Sequence, residues 1–322
     1  MRVGIIGLGL MGEYYVRIVT DLVGPENVLG VEADRDRAEM MAAAHGITVT
    51  QTWQEIVGTT DAAIIALPDH LHTEPAVAFL QAGSYVLVEK PLATSLADCQ
   101  TILEAQTEPG RLMVGHVLRF DHRIQELKRR LDAQEFGNLR YLRIHRSNST
   151  MGAKRVGERV SVSAFLGVHD LDLLLWLTQR EIRSVSATGK KIFGSHWDLS
   201  IASLELEDGT LALVENHWLL HPDAQRSALA GIEVFGDTGM ALLDLSTQEL
   251  EIVTDDNPRT KRIDTHNWTF DAAVSGGNLR REVEAFIAAA RTGGPTPISG
   301  EDGMRAVEAV QLVEDALARS TN

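Results

Sequence analysis

The stretch Met1-Arg-Val-Gly-Ile-Ile-Gly-Leu-Gly-Leu-Met-Gly12 decides how the rest of the chain is read. Val3, Ile5 and Ile6 form a short apolar run of the kind that makes a buried strand. Gly7, Gly9 and Gly12 follow at G-x-G-x-x-G spacing, and Glu13 to Thr20 has helical character. Each glycine has its own steric task. Gly7 permits the tight turn off the strand, Gly9 keeps side-chain atoms away from a pyrophosphate, and Gly12 lets the helix pack close to the strand. The helix aims its free N–H groups and its dipole at the phosphates. The pattern predicts a dinucleotide site built from Gly7, Leu8, Gly9, Leu10, Met11 and Gly12.

A carboxylate about 20 residues after the third glycine is expected to end the second strand and bind the ribose hydroxyls. Glu32 follows the apolar run Val28-Leu-Gly-Val31, 20 residues past Gly12, with Ala33 beside it and Asp34 as a second candidate. A carboxylate there repels a 2′-phosphate, so NAD is expected over NADP. Arg35 and Arg37 lie close enough to leave NADP open.

A chain of 322 residues is too long for one mononucleotide-binding unit and predicts two domains, and its 44% hydrophobic content supports full cores. No apolar stretch approaches the roughly 18 residues of a membrane span. The first strand already includes residue 3, which leaves no space for a signal peptide, and Cys99 has no second cysteine to pair with. The expected compartment is therefore a reducing cytoplasm. The net charge of −15 argues against nucleic acid or an anionic membrane as a partner. An anionic cofactor must then be held by local backbone N–H groups.

Strands and helices alternate after Asp34. Arg37 to His45 reads as a helix stopped by Gly46, 47–49 as a strand, and Thr52-Trp-Gln-Glu55 as a capping box. Asp61 to Leu67 is a continuous apolar strand, as in a parallel sheet covered on both faces. Pro68-Asp-His-Leu-His72 then breaks the chain at the strand's carboxyl end, where ligands sit in such sheets. That makes Leu67, Pro68 and His72 cofactor-binding candidates. A helix over 74–82, a strand over 85–88, a helix capped by Ser95 and a strand over 112–114 complete a doubly wound pattern. Glu89-Lys90-Pro91 follows directly on the 85–88 strand. Its bland reading is a surface ion pair with a turn proline. Its functional reading is a lysine in a dry pocket beside a cationic nicotinamide, trading a proton with a substrate hydroxyl near neutral pH.

Beyond Arg119 the character changes. Ile124, Leu127 and Leu131 mark a helix, and 139–145 alternates at period 2 as a half-exposed strand does. The polar, glycine-containing run 147–157 reads as a loop over the site. Phe165 to Leu177 carries an apolar helical stripe on which His169 and Asp172 share a face. With no third ligand nearby, no metal is expected there. Strands are predicted over 182–188, 200–206, 210–218, 231–235, 240–245 and 248–253, with a hairpin at Asp208-Gly209. Glu215-Asn-His-Trp218 reads either as edge-of-sheet packing or as a substrate contact by His217 or Trp218. Amphipathic helices over 280–291 and 302–319 close the chain, the second capped at Ser299.

Gly7-x-Gly9-x-x-Gly12, Pro68-Asp-His-Leu-His72, Glu89-Lys90-Pro91, Gly115-His-Val-Leu-Arg119-Phe120 and His169-Asp-Leu-Asp172 occur in that order. Together they resemble the glucose–fructose oxidoreductase and inositol dehydrogenase family (Gfo/Idh/MocA) over nearly the whole chain. The resemblance implies an α/β protein. Residues 1–118 would form a Rossmann NAD(P)-binding domain with a doubly wound parallel sheet. Residues 119–322 would form a substrate-binding and oligomerisation domain with an open, mostly antiparallel sheet. It implies hydride transfer between nicotinamide and a carbinol carbon of a sugar, cyclitol or sugar nucleotide, by a homodimer or homotetramer.

By the same resemblance Lys90 is the acid/base or its close partner and His169 assists, while Asp172 either orients His169 or is structural. Glu89 anchors Lys90 or the nicotinamide ribose, Pro68 and His72 border the nicotinamide, and Lys90–Pro91 is a candidate cis bond. Arg119, Phe165 and Trp218 join Lys90 and His169 as substrate-binding candidates. One position departs from the pattern: many members carry an aspartate four residues before the histidine, where this chain has Phe165. That aromatic ring suits the apolar face of a sugar. It also motivates a rival reading, an NAD(H)-binding sensor without turnover; a second rival is a reductase of a non-sugar imine or enone.

Overall fold

The computed structural model describes residues 1–224, 228–246, 249–254, 257–264 and 276–320. The first strand, β1 (Val3–Ile6), is buried at every position, because helices cover both faces of a parallel sheet. Five strands join it: β2 (Val28–Val31), β3 (Thr48–Thr50), β4 (Ala62–Ile65), β5 (Tyr85–Glu89) and β6 (Leu112–Gly115). All neighbours pair in parallel, in the order β3-β2-β1-β4-β5-β6. This is the doubly wound order, and its direction reverses between β1 and β4. Helices α1 (Leu10–Val23), α2 (Arg35–His45), α3 (Thr73–Gln81) and α4 (Leu96–Glu104) form the crossovers. The expected caps are present. Asp34 accepts from the Arg37 N–H, Gly46 takes the left-handed conformation, Thr52 and Glu55 close a capping box, and Ser95 accepts from the Asp98 N–H.

The next segment builds a second sheet. It runs through α5 (His122–Asp132), β7 (Leu139–Ser149), α6 (Thr150–Val156), a π-helical turn over Ser163–Gly167 and α7 (Val168–Thr178). Strands β8 (Ile182–Lys190), β9 (Leu199–Leu206), β10 (Leu211–Leu220), β11 (Ala228–Gly236) and β12 (Met240–Asp244) follow. The order is β12-β11-β7-β10-β9-β8. The Asp208-Gly209 hairpin forms between β9 and β10, with Gly209 at φ +85°. Successive hairpins do not account for the whole sheet, because its central pair, β7 with β10, is parallel. The run 147–157 is not a loop. β7 continues to Ser149 and α6 follows, since Ala153 and Val156 have an apolar cluster to enter with Val162, Leu166 and Trp218.

Strands β13 (Glu249–Thr254) and β14 (Asn257–Asp264) pair antiparallel. Gln248, the first residue of the last expected strand, lies outside the described residues. Helices α8 (Gly277–Thr292) and α9 (Gly300–Arg319) close the chain. Two compact units result: Met1–Phe120 with Glu249–Met304, and Asp121–Gln248 with Arg305–Asn322. The single boundary at 118/119 is therefore replaced by a chain that leaves the first unit and returns to it. The return has a packing cause. α8 buries Leu279, Val283 and Phe286, packs against α1, and pairs Arg280 with Asp21 at 2.9 Å. The Tyr85 hydroxyl also donates to the Gly294 carbonyl at 3.0 Å.

Among the described residues no helix is long and apolar enough to cross a membrane, and no group of three His, Cys, Asp or Glu could hold a metal ion.

Candidate active site

The glycine turn lies at the carboxyl end of β1 and is sterically committed. Gly7 has φ +89°, and a Cβ there would lie 2.9 Å from the Ala66 carbonyl oxygen. A Cβ on Gly12 would stand 1.9 Å from the Gly7 carbonyl oxygen, which is an overlap. A Cβ on Gly9 would meet nothing within 4 Å, so the space in front of it is open. Gly9 is also the N-cap of α1 and supplies no side chain to the helix's first N–H groups. Open space faced by uncapped donors is what a pyrophosphate requires, so the residues present fit a dinucleotide.

Leu8 is gripped from both sides. Its N–H donates to Glu32 at 3.0 Å, and its carbonyl accepts from Arg37 Nε at 2.8 Å. The other Glu32 oxygen accepts the Asp34 N–H at 3.1 Å. Arg37 also pairs with Glu13 at 2.8 Å, and Arg17 reaches the same carboxylate at 2.5 Å. Burial alone would raise the Glu13 carboxyl, but the hydrogen bonds from Arg37 and Arg17 outweigh it and hold the group below its ordinary range. Arg37 is thus engaged with the turn rather than held in reserve for a 2′-phosphate. Wild-type protein is expected to bind NAD at least about tenfold more tightly than NADP, by the charge repulsion at Glu32. Equal or tighter NADP binding in a calorimetric titration would overturn that reading.

The loops after β4 and β5 lie on the same carboxyl edge. Pro68 is exposed there, and Leu67 is half-buried. His72 was expected to border the nicotinamide, but its ring is buried and used elsewhere. Nδ1 lies 3.0 Å from the Pro91 carbonyl and Nε2 lies 2.9 Å from the Leu67 carbonyl. The ring lies between the two loops, the protonated nitrogen donating to the carbonyl it faces, and both nitrogens are turned away from a cofactor. Glu89 and Lys90 are half-buried, and the Lys90–Pro91 bond is cis. Glu89 accepts the Tyr15 hydroxyl at 2.7 Å and the Lys90 N–H at 3.1 Å. Arg119 is buried rather than presented to a substrate, and it pairs with Asp302 at 3.3 Å.

In the second unit His169 lies half-buried on the first turn of α7, and Asp172 is buried. The carboxylate between them, Asp170, was not singled out in the sequence. It is fully buried, accepting from Arg146 Nε at 2.9 Å and Asn216 Nδ2 at 2.7 Å. Burial raises its carboxyl above the ordinary range despite these partners.

Trp218 corrects an expectation. Strand alternation sends Ala212, Val214, Asn216 and Trp218 to the covered face of β10, and Trp218 is fully buried. It is a core residue and cannot touch a substrate. Phe165 packs on it with ring centroids 5.5 Å apart, which leaves Phe165 half-buried. Trp218→Ala is expected to cost about 3–5 kcal/mol, by the cavity it leaves. Denaturant unfolding measures this, and a loss under about 1 kcal/mol would show the cluster to be loosely packed. His217 faces the other way, with Nε2 2.9 Å from the Ser147 hydroxyl.

The model described as "Oxidoreductase family, NAD-binding Rossmann fold" matches residues 1–116, and the GFO/IDH/MocA C-terminal domain matches residues 124–242. The chain belongs to the Gfo/Idh/MocA oxidoreductase family. Its N-terminal part is the NAD-binding Rossmann domain of that family. Inositol 2-dehydrogenase 2 of Saccharopolyspora erythraea is 35% identical over 225 residues, which is 67% of this chain. The alignment spans 66% of that relative, about two thirds of its length.

Among solved structures, a probable dehydrogenase from Thermotoga maritima shares the fold, with a TM-score of 0.83 at 22% identity, covering 99% of this chain and 98% of that one. A UDP-N-acetylglucosamine 3-dehydrogenase from Acidithiobacillus ferrooxidans gives 0.80 at 25% identity, covering 99% and 98%.

Proposed function

We propose that this Gfo/Idh/MocA protein is an NAD-dependent dehydrogenase that oxidises a ring carbinol of a cyclitol or sugar, with Lys90 as the acid/base. The observation that carries this reading is the position of Glu89-Lys90-Pro91. It follows β5 on the sheet edge that also bears the glycine turn, and the loop behind it lies against the His72 ring. Bound NAD would supply the hydride acceptor. The chain's own residues do the rest. The backbone N–H groups at the start of α1 hold the pyrophosphate, and Glu32 accepts from the ribose. Lys90 takes the hydroxyl proton as the hydrogen on the same carbon leaves as hydride, which turns the carbinol into a ketone. Glu89, held by Tyr15, keeps the Lys90 backbone in place. His169 is the residue we assign to substrate recognition in the second unit, with the buried Asp172 as the group that orients it.

The inositol dehydrogenase relative favours a cyclitol, and the UDP-N-acetylglucosamine 3-dehydrogenase likeness keeps sugar nucleotides as the next class to test. Exposed Leu211, Met240 and Leu242 on the second sheet support a homodimer or homotetramer. The buried lone thiol of Cys99 supports a reducing compartment. Steady-state screening of inositols, hexoses and UDP-sugars with NAD tests the function, with Lys90→Ala as the control. At least one substrate is expected to be turned over far faster by the wild type. Equal rates on every compound would instead favour an NAD(H)-binding sensor, the reading that Phe165 motivates.

A further inference from the structure

Helix α8 carries one carboxylate on its apolar stripe. Glu282 lies between Leu279 and Phe286 and is fully buried. Among the described residues, its Oε1 has no hydrogen-bond partner. Its Oε2 lies 3.5 Å from the Tyr15 hydroxyl, which is itself fully buried and donates to Glu89 Oε1 at 2.7 Å. One phenolic hydrogen serves one carboxylate, and the shorter distance assigns it to Glu89. Glu282 Oε2 then faces the lone pairs of the phenol oxygen. An anion would be repelled there by those lone pairs and by the Glu89 charge. A proton on Glu282 reverses the sign of that contact.

We infer that Glu282 carries a proton in the folded protein, and that the chain Glu282 to Tyr15 to Glu89 is a positioning device for the backbone of Lys90. Glu282 donates to the phenol oxygen, Tyr15 donates to Glu89 Oε1, and Glu89 Oε2 accepts the Lys90 N–H at 3.1 Å. The positioning half rests on the reading of Lys90 as acid/base. The protonation half does not.

The surrounding charges agree. Burial pushes the Glu282 carboxyl well above its ordinary 4.5, the Glu89 charge pushes it the same way, and the Tyr15 contact opposes them without outweighing them. Burial and the Glu89 charge push the Tyr15 phenol up as well. The elements packed on α8 here are α1, which presents Tyr15, and the turn Val117–Phe120, whose Arg119 pairs with Asp302. On α8 itself Arg281 turns to the Phe120 carbonyl and to Asn278, and Arg280 pairs with Asp21 and Glu284.

The first arm of the test needs no substrate. Thermal unfolding of the full chain is followed from pH 5 to 9 for wild type and Glu282→Gln. A carboxyl that binds its proton more tightly when folded contributes stability that is complete below its ordinary 4.5 and is lost as pH rises through the folded value. Glutamine has no proton to lose. The Tm advantage of Glu282→Gln over wild type is therefore expected to grow with pH, by about 2–4 °C per unit. A pH-independent difference overturns the protonated Glu282.

The second arm is the split between kcat and KM for Tyr15→Phe. Removing the phenol oxygen leaves Glu89 Oε1 without its donor and loosens the hold on the Lys90 N–H, so kcat is expected to fall about tenfold with KM nearly unchanged. Glu282→Gln, still able to donate, is expected to show the smaller loss. An unchanged kcat in Tyr15→Phe overturns the positioning role. Absence of turnover on every substrate sinks that role together with the dehydrogenase reading, while the first arm still decides Glu282.

Discussion

Lys90→Ala is expected to lower kcat/KM by about 10²–10⁴-fold, the range a positioned general acid/base contributes. The geometry separates this from a binding defect. The Lys90 backbone N–H is held by Glu89, and the His72 contact acts on the neighbouring Pro91 carbonyl. Alanine keeps both of these backbone contacts. NAD affinity is thus expected to move by no more than about threefold, and the loss to appear in kcat. Lys90→Arg should be almost as slow, because a guanidinium does not give up its proton near neutrality. Steady-state kinetics with a parallel NAD titration decide the matter. A Lys90→Ala protein working within about threefold of wild type would remove Lys90 from the chemistry.

Gly12→Ala is expected to damage both the cofactor site and the fold. The new carbon would overlap the Gly7 carbonyl oxygen at 1.9 Å, and that peptide cannot easily retreat. Its N–H, from Leu8, donates to Glu32 at 3.0 Å, the Gly7 N–H before it is bonded to the Val31 carbonyl at 2.9 Å, and the φ of +89° at Gly7 suits few alternatives. Helix α1 must therefore move off the strand, which costs about 1–3 kcal/mol as overpacking. The displaced helix N–H groups lose charge-assisted hydrogen bonds of roughly 1.5–3 kcal/mol each, so NAD affinity should fall on the order of 100-fold. Gly9→Ala is the informative contrast. Its Cβ enters open space in the protein, so Tm should hold while NAD binding falls. Normal Tm and normal NAD affinity for Gly12→Ala would mean that the close approach of helix and strand is not required.

Much of this was legible because short-range sterics wrote it. The three glycines, the carboxylate at Glu32 and the apolar runs of β1, β4 and β5 depend on neighbours in sequence, and they led to the doubly wound sheet. The placement of Glu89 and Lys90 at its ligand edge followed from one strand ending. What the sequence concealed depends on distant partners. His72 looks like a ligand-edge histidine until its carbonyl partners, Leu67 and Pro91, are seen on two separate loops.

Arg37 suggested a phosphate ligand, yet it serves the Leu8 carbonyl 29 positions away. Trp218 could have been placed by parity, since Ala212 and Val214 share its face, but the bulk of Glu215 to Trp218 suggested a site instead. Glu282 did leave a signal: a carboxylate three residues after Leu279 and four before Phe286 interrupts an apolar helical stripe. The run 147–157 read as a loop because its own composition is polar; it is the end of β7 followed by α6, which packs into the cluster around Trp218.

The parallel pairing of β7 with β10 bears on how the second unit acquires its structure. Tyr141 and Leu211 stand opposite one another although 70 positions separate them, whereas β8, β9 and β10 connect by short local turns. A local meander can therefore zip early, but the centre of the sheet closes only when a long intervening segment has been brought round, an entropic penalty met before its contacts reward it. That closure is the step expected to limit folding of this half, with one edge of β10 left unpaired before it.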